Sequence, residues 1–299
     1  LSFMLWMIKE FEIGKQDRVM QIAGEGFSLF KREVLATLIS GATLVIPTEA
    51  DKSSFDSVAK FIRANDITVF NIVPSYYNYL VDYLSSIKHP KLRLIFIAGE
   101  ILYKSLVNKH IHAFNNHCRL INLYGPTETT QAKFYYEIDF NNYQFAEMMP
   151  VGLPINDVTT AYIRNDSGIL IDEASIVGEI IIATDDISYG YCNISQNTPF
   201  IEINGKKAFC SGDLGYKDQF GLLHVLGRAD SQIKIRGMRV ELSEIEAHIL
   251  NIGGIQEVAV LYMLSESKHE GQLVAALVGN AARGEIIEYL PSHLPEYML

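Results

Sequence analysis

Cysteine chemistry is nearly missing from this sequence. Its 299 residues hold three cysteines, Cys118, Cys192 and Cys210, far apart and without a Cys-x-x-Cys pair. That spacing argues against a disulfide framework and against a zinc site, and leaves three reduced thiols of a cytoplasmic protein as the expectation. Basic runs are scarce as well: Lys and Arg number 25 against 35 Asp and Glu, a formal net charge of −10. Without a basic stripe, a nucleic-acid partner is not expected. No apolar run reaches about 18 residues, and the N-terminus lacks the layout of a signal peptide, so no membrane partner is expected. Internal repeats and low-complexity tracts are also absent. The chain opens on Leu1 and closes on Leu299 without a polar tail, which reads as a piece of something longer.

Apolar residues, in contrast, are plentiful at 48% of the chain, enough for a large core. The length predicts roughly two domains at about 150 residues each. In the first half, apolar runs alternate with amphipathic ones. "ATLVIP" (Ala42 to Pro47) reads as a buried strand, "SFDSVAKFIRAND" (Ser54 to Asp66) as a helix capped by Ser53 or Ser54, and "ITVFNIVP" as a strand. The helix "SYYNYLVDYLSS", the strand "LRLIFIAGE", the helix "KSLVNKHIHAFNN" and the strand "RLINLYG" follow. This rhythm predicts βαβ units and a parallel sheet, with ligands outside the carboxyl ends of the strands. "AGE" (Ala98 to Glu100) and "YGPTE" (Tyr124 to Glu128) lie at such ends. From about Val151 to Arg228, short strands such as "TTAYIR", "GEIIIAT" and "GLLHVLG" predict a β-rich subdomain. The remainder reads as a small α+β domain. It has a hairpin, a helix with a Ser243/Glu246 capping box stopped at Gly253–Gly254, two strands, and a helix from Glu285. "GRADSQ" (Gly227 to Gln232) is the expected hinge, dividing 1–229 from 230–299.

Four stretches could carry chemistry. In "NLYGPTETT", Pro126 fixes φ and Gly125 permits a tight turn that presents the Thr127 hydroxyl and the Glu128 carboxylate. A hydroxyl can bond a phosphate oxygen, and a hard carboxylate suits Mg²⁺; an ordinary strand-ending turn gives the same letters. "CSGDLGY" places Asp213 in a Gly-flanked turn, to accept ribose hydroxyls or to cap itself. "GRADSQIKIRGMRVE" gathers Arg228, Lys234, Arg236 and Arg239, as a solvated hairpin face or a phosphate-facing one. "GEGFSLF" (Gly24 to Phe30) resembles a phosphate cradle at first sight, two glycines opening a helix.

Together and in this order, "YGPTE", "SGD", "GRADSQIKIRGMRVELSEIE" and "LPEYM" resemble the core motifs of the adenylate-forming enzymes: acyl-CoA synthetases, luciferases and the adenylation domains of nonribosomal peptide synthetases. "ATLISGATLVIP" and "GEIIIA…YGY" fit the adenylation domains best, and the resemblance covers essentially the whole chain. It implies an α/β enzyme that activates a carboxylic or amino acid with ATP and Mg²⁺ as an acyl-adenylate. The acyl group then passes to phosphopantetheine on a peptidyl carrier protein. By the same resemblance Tyr124 stacks on adenine, with Asn122 and the Gly99–Glu100 segment along its edge and Gly125 in the turn. Thr127 meets the α-phosphate, Glu128 holds Mg²⁺, Asp213 binds the ribose and Arg228 the ribose and phosphate. Asp230 is the hinge of a mobile small domain, and Lys234, Arg236 and Gly237 border the thiol tunnel. Val225 stands where many members carry an aromatic residue. The family's phosphate loop belongs upstream of Leu1 and its catalytic lysine beyond "LPEYM". The 299 residues alone are therefore expected to form adenylate very slowly or not at all.

The resemblance reassigns "GEGFSLF" from phosphate to acid recognition. Its glycines become turn-formers, and Phe27 becomes a wall of the pocket. Ser28 stands where the family has an Asp that holds an α-ammonium. This implies an acid without an ordinary α-amino group; Glu25 supplying the charge, or a domain that has lost function, are the alternatives. Leu29, Arg32, Asn71, Phe96, Ala98, Leu123, Gln131 and Ala132 complete the pocket. Arg32 would pair a second carboxylate or point to solvent from its helix. A free-standing acyl- or aryl-CoA ligase, and an inactive remnant that binds nucleotide or a partner, are the rival functions.

Overall fold

The computed structural model describes residues 1–87, 91–141, 147–165, 167–171, 173–192, 198–229, 232–264 and 271–299. Asp230, the expected hinge, lies outside them. The chain forms two compact units, Leu1–Gly227 and Arg228–Leu299.

The first unit begins with helix α1 (Ser2–Glu10), strand β1 (Arg18–Met20), helix α2 (Ser28–Ser40) and strand β2 (Thr43–Val45). It continues through α3 (Phe55–Ala64), β3 (Val69–Ile72), α4 (Pro74–Ser86), β4 (Leu94–Ala98), α5 (Lys104–Phe114) and β5 (Arg119–Tyr124). With β6 (Phe134–Glu137) and β7 (Leu153–Pro154) these strands make one sheet in the order β2-β1-β3-β4-β5-β6-β7, parallel from β2 to β5 and antiparallel beyond. Successive side chains on a strand face opposite ways, and both faces are apolar. Phe70, Ile95 and Ile97 pack under α3, α4 and α5, while Val69, Phe96 and Leu123 pack with Phe3, Met4 and Met7 of α1 and Ala36 of α2.

One strand departs from its expectation. "ATLVIP" forms β2, which is an edge strand; Thr43 is exposed and Ile46 is 66% exposed. Among the described residues its only strand neighbour is β1, so its apolar letters are half solvated.

Next come β8 (Thr160–Arg164), β9 (Leu170–Ile171), β10 (Gly178–Ala183), β11 (Phe200–Ile203), β12 (Lys206–Lys217) and β13 (Leu223–Arg228). They form a second sheet in the order β11-β12-β10-β8-β9, with β13 paired to β12. "CSGDLGY" is not the turn its glycines suggest but the middle of β12. The register against β10 shifts there, and Gly212 has φ 70°. This is a β-bulge, in which an extra residue re-aims its neighbours, and Gly supplies the left-handed backbone.

The second unit comprises β14 (Gln232–Ile235), β15 (Met238–Glu241), α6 (Leu242–Leu250), β16 (Ile255–Leu264), β17 (Gly271–Gly279) and α7 (Arg283–Tyr289). Arg236 and Gly237, with φ of 50° and 76°, make the two-residue connection of the first hairpin, where paired positive φ angles match strand twist. The expected Ser243 capping box does not form. Glu241 is the N-cap, Ser243 is already inside α6, and Glu246 Oε1 accepts instead from Val260 N at 2.8 Å. The helix ends at Leu250 with Asn251 as C-cap, before the glycines. Leu294 and Met298 of "LPEYM" are buried with Val240, Ile245 and Val260, so this motif anchors the unit's core.

Candidate functional site

The loops after β1, β4 and β5 leave the carboxyl ends of parallel strands, where α/β sheets bind ligands. Tyr124 closes β5. Its ring is buried among Phe134, Ile180, Ile182 and Leu223, and its hydroxyl donates to Asp213 Oδ2 at 2.6 Å. The β12 bulge makes this contact possible. Ser211 Oγ donates to Ile180 O at 2.7 Å and accepts from Asp213 N at 3.0 Å, while Glu179 Oε1 accepts from Gly212 N at 3.1 Å. Motifs 89 residues apart therefore meet through one buried charge-assisted hydrogen bond.

The turn after Tyr124 is tight. A Cβ on Gly125 would lie 2.6 Å from Gln131 O, 2.8 Å from Ala132 Cα and 2.8 Å from Lys133 N, all backbone atoms. Pro126 leads into a 3-10 turn, Thr127–Thr129, which leaves Thr127 exposed and Glu128 buried. Tyr191 donates its hydroxyl to Glu128 Oε1, and Ser188 N donates to Glu128 O at 2.8 Å. Thr130 Oγ1 donates to Asp186 O at 2.9 Å, so the 185–191 segment braces this turn. Lys133 is fully buried, 3.8 Å from Asp186 Oδ2, and burial holds its pKa below the usual lysine value. Sequence reasoning missed Glu179, Lys133, Asp186 and Ser188 as parts of the site. Tyr191 was signalled only through the "YGY" resemblance.

Other expected nucleotide residues have structural partners. Asn122 Nδ2 donates to Pro150 O at 2.8 Å. Glu100 accepts from Ser75 N at 2.8 Å and Ser75 Oγ at 2.9 Å, so its carboxylate caps the first turn of α4. Gly99 has φ 95°, a backbone that favours glycine. Arg228 ends β13 and Val225 packs beside the Tyr124 cluster. Lys234 and Arg236 are exposed on the β14–β15 hairpin.

The expected pocket residues group on one face of the first sheet. Phe96, Leu123 and Ala132 are buried there with Ala98 beside them, and Asn71, in register with Phe96, shares that face. Above them, "GEGFSLF" forms a turn in which Phe27 N donates to Gly24 O at 3.0 Å. Neither glycine is forced by it: neither has a positive φ, and a Cβ on Gly26 would meet nothing within 4 Å. Phe27 is the N-cap of α2 and 40% exposed, Glu25 is exposed, and Ser28 O accepts from Gln131 Nε2 at 3.0 Å. Leu29 follows in the first turn of α2.

Arg32 does not point to solvent. It is 4% exposed, its guanidinium lies 5.0 Å from the centroid of the Phe3 ring, and Nε and Nη1 have no hydrogen-bond partner. Burial lowers its pKa to about 10. Beside it Glu33, unforeseen from sequence, is also buried. Its Oε2 accepts from Ile22 N and Ala23 N at 3.2 Å each, holding the start of the loop. Burial pushes the Glu33 carboxyl up to about 8, against the lowering effect of those two amides.

Among the described residues, no group of three or more His, Cys, Asp or Glu side chains could hold a metal, and no helix is long and apolar enough to cross a membrane.

Known proteins resemble this chain in sequence and fold. The chain is 30% identical to gramicidin S synthase 2 of Brevibacillus brevis, over all of its length and 7% of that protein. It is also 30% identical to the L-proline–[L-prolyl-carrier protein] ligase of Streptomyces coelicolor, over 100% of this chain and 56% of that one. The fold superposes on the Vibrio cholerae adenylation domain AlmE, solved in complex with glycyl-adenosine-5'-phosphate, with a TM-score of 0.88 and 30% identity. That match covers 99% of this chain and 57% of the other. The chain thus spans less than two thirds of each of these relatives. Residues 1–192 match the model of the AMP-binding enzyme family, and the chain belongs to that family.

Proposed function

We propose that this chain is part of an enzyme that activates a carboxylic or amino acid with ATP and hands the acyl group to a phosphopantetheine thiol on a carrier protein. The carrying observation is the Tyr124–Asp213 bond, with Thr127 and Glu128 in the turn that Tyr124 leads into. The names of the relatives support it: a peptide synthase, a carrier-protein ligase, and an adenylation domain bound to an aminoacyl-adenylate.

In this reading a carboxylate oxygen of the acid attacks the α-phosphorus of ATP. A new P–O bond forms, the bond to the β-phosphate oxygen breaks, and pyrophosphate leaves. The thiol sulfur, having given up its proton, then attacks the acyl carbon, and AMP leaves. The chain's residues position these groups and stabilise charge. Asp213, aimed by Tyr124, accepts hydrogen bonds from the ribose hydroxyls. The exposed Thr127 hydroxyl donates to an α-phosphate oxygen. A lone carboxylate, Glu128, suits Mg²⁺, which takes one or two protein carboxylates and otherwise phosphates and water. When bound, Mg²⁺ supplies charge neutralisation between the phosphates. Ser28 offers an α-ammonium no charge, which favours acids without one. The second unit serves as a lid turning at Asp230.

The test is ATP–pyrophosphate exchange by the full-length protein across a panel of amino, aryl, hydroxy and dicarboxylic acids. Exchange with at least one acid, abolished by Asp213→Ala, is expected. A folded protein that exchanges with none, and does not bind ATP by calorimetry, would sink the reading.

A further inference from the structure

The buried pocket face carries more polar groups than it satisfies. Arg32 Nε and Nη1, both side-chain polar atoms of Asn71, and Gln131 Oε1 are all enclosed without a hydrogen-bond partner. Asn71 lies two residues after Val69 on β3, on the face that packs with Phe3. Gln131 is tied to Ser28 O, and Ser28 and Arg32 are one helical turn apart on α2, hence on the same side. Arg32 covers the Phe3 ring.

An enclosed guanidinium without an acceptor is costly, and such groups in folded proteins are nearly always paired. Glu33 offsets this charge electrostatically but does not hydrogen-bond to it: Glu33 Oε2 is engaged by the amides of Ile22 and Ala23. The pocket is therefore built with a positive charge and amide groups awaiting an acceptor.

We infer that Arg32 and Asn71 receive a second anionic group of the acid, so that the substrate is a small dicarboxylic acid or one carrying an equivalent anion. This rests on the acid-activating reading above, which assigns one carboxylate to the chemistry. The other is held by the Arg32 guanidinium, with the Asn71 amide donating beside it. Arg is suited to this, since its planar donors match a carboxylate. A site built for a charged partner discriminates sharply against a neutral analogue, because its own groups are then left unpaired.

The experiment compares four near-isosteric pairs with the full-length protein: succinate and succinamate, glutarate and glutaramate, aspartate and asparagine, glutamate and glutamine. Calorimetry gives binding, and pyrophosphate exchange gives kcat/KM, for wild type, Arg32→Met and Arg32→Lys. The expected result is that at least one diacid binds about a hundredfold more tightly than its amide. Arg32→Met should erase that preference while leaving ATP binding unchanged, and Arg32→Lys should restore part of it. Because Arg32→Met removes a buried charge whose Nε and Nη1 lack hydrogen-bond partners, it should fold with unchanged or raised Tm. Binding of amides and diacids alike, or a diacid preference that survives Arg32→Met, would overturn the inference. Discrimination in binding without any exchange would uphold Arg32 and refute acid activation. Exchange that ignores Arg32 would do the reverse.

Discussion

Gly125→Ala probes the turn that carries Thr127 and Glu128. The added Cβ would sit 2.6–2.8 Å from three backbone atoms of residues 131–133, where ordinary contact begins at 3.4 Å. No side chain can rotate away, so the two segments must part by about 0.6–0.8 Å to relieve the clash. The bond from Lys133 N to Tyr124 O, at 2.8 Å, spans the same gap and would stretch past useful length. Overpacking contributes about 1–3 kcal/mol and the lost hydrogen bond about 1 kcal/mol, for a destabilisation of about 2–4 kcal/mol. For a unit of this size that lowers Tm by about 5–15 °C. Differential scanning fluorimetry and urea unfolding read it directly, with Gly26→Ala as the control because its Cβ meets nothing within 4 Å. The nucleotide site should suffer as well, with ATP affinity falling at temperatures where the variant is still folded. A Gly125→Ala protein within about 0.5 kcal/mol of wild type would show that the turn yields freely, and would refute the claim that glycine is there for close approach.

Three other perturbations test separate links. Tyr124→Phe removes the donor to the buried Asp213 carboxylate and should cost about 1.5–3 kcal/mol in urea unfolding, with weaker ATP binding; no change in either would mean that Asp213 does not depend on Tyr124. Glu33 has a folded-state pKa near 8, above its ordinary value, so the folded state holds an extra proton between the two values and stability falls as pH rises through that window. Glu33→Gln should flatten the decline in Tm between about pH 5 and pH 9, and an unchanged slope would place the effect elsewhere. Arg236→Asn should stabilise the β14–β15 hairpin by about 0.5–1 kcal/mol, because Asn tolerates the positive φ that Arg adopts there. If the same variant slows acyl transfer to the carrier thiol, the strained arginine is kept for function; if the transfer rate is unchanged, it is not.

The parallel sheet was legible because two local signals agreed. The β3, β4 and β5 runs are mostly apolar and buried at nearly every position, as strands covered on both faces must be, and the helices between them are amphipathic. The β2 run has the same letters, yet it lies at the sheet edge among the described residues, and sheet order is not written in any single strand. The site divides along the same line. Tyr124, Thr127, Glu128 and Asp213 could be nominated because short motifs surround them, and the structure joins Tyr124 to Asp213 and places Thr127 and Glu128 in the turn after Tyr124. Glu33 and Arg32 went unrecognised as a buried pair because adjacent charges on a helix look like a solvated face until α1 is known to cover them.

The Asp213 bulge shows what a motif can and cannot convey. Ser-Gly-Asp in isolation describes a turn as well as it describes a strand, because both use glycine's left-handed backbone. What decides between them is β10: Glu179 Oε1 takes the Gly212 amide, and Ile180 O takes the Ser211 hydroxyl. These partners lie more than thirty residues upstream, and no spacing rule points to them. Yet they aim Asp213 at Tyr124, and so join a carboxylate from the second sheet to the strand end of the first. The residues proposed to do the chemistry are therefore readable locally, whereas the residues that aim them are not. Glu179, which lies in "GEIIIA" but is assigned no role there, should matter to ribose recognition as a positioning residue through the geometry it imposes on β12.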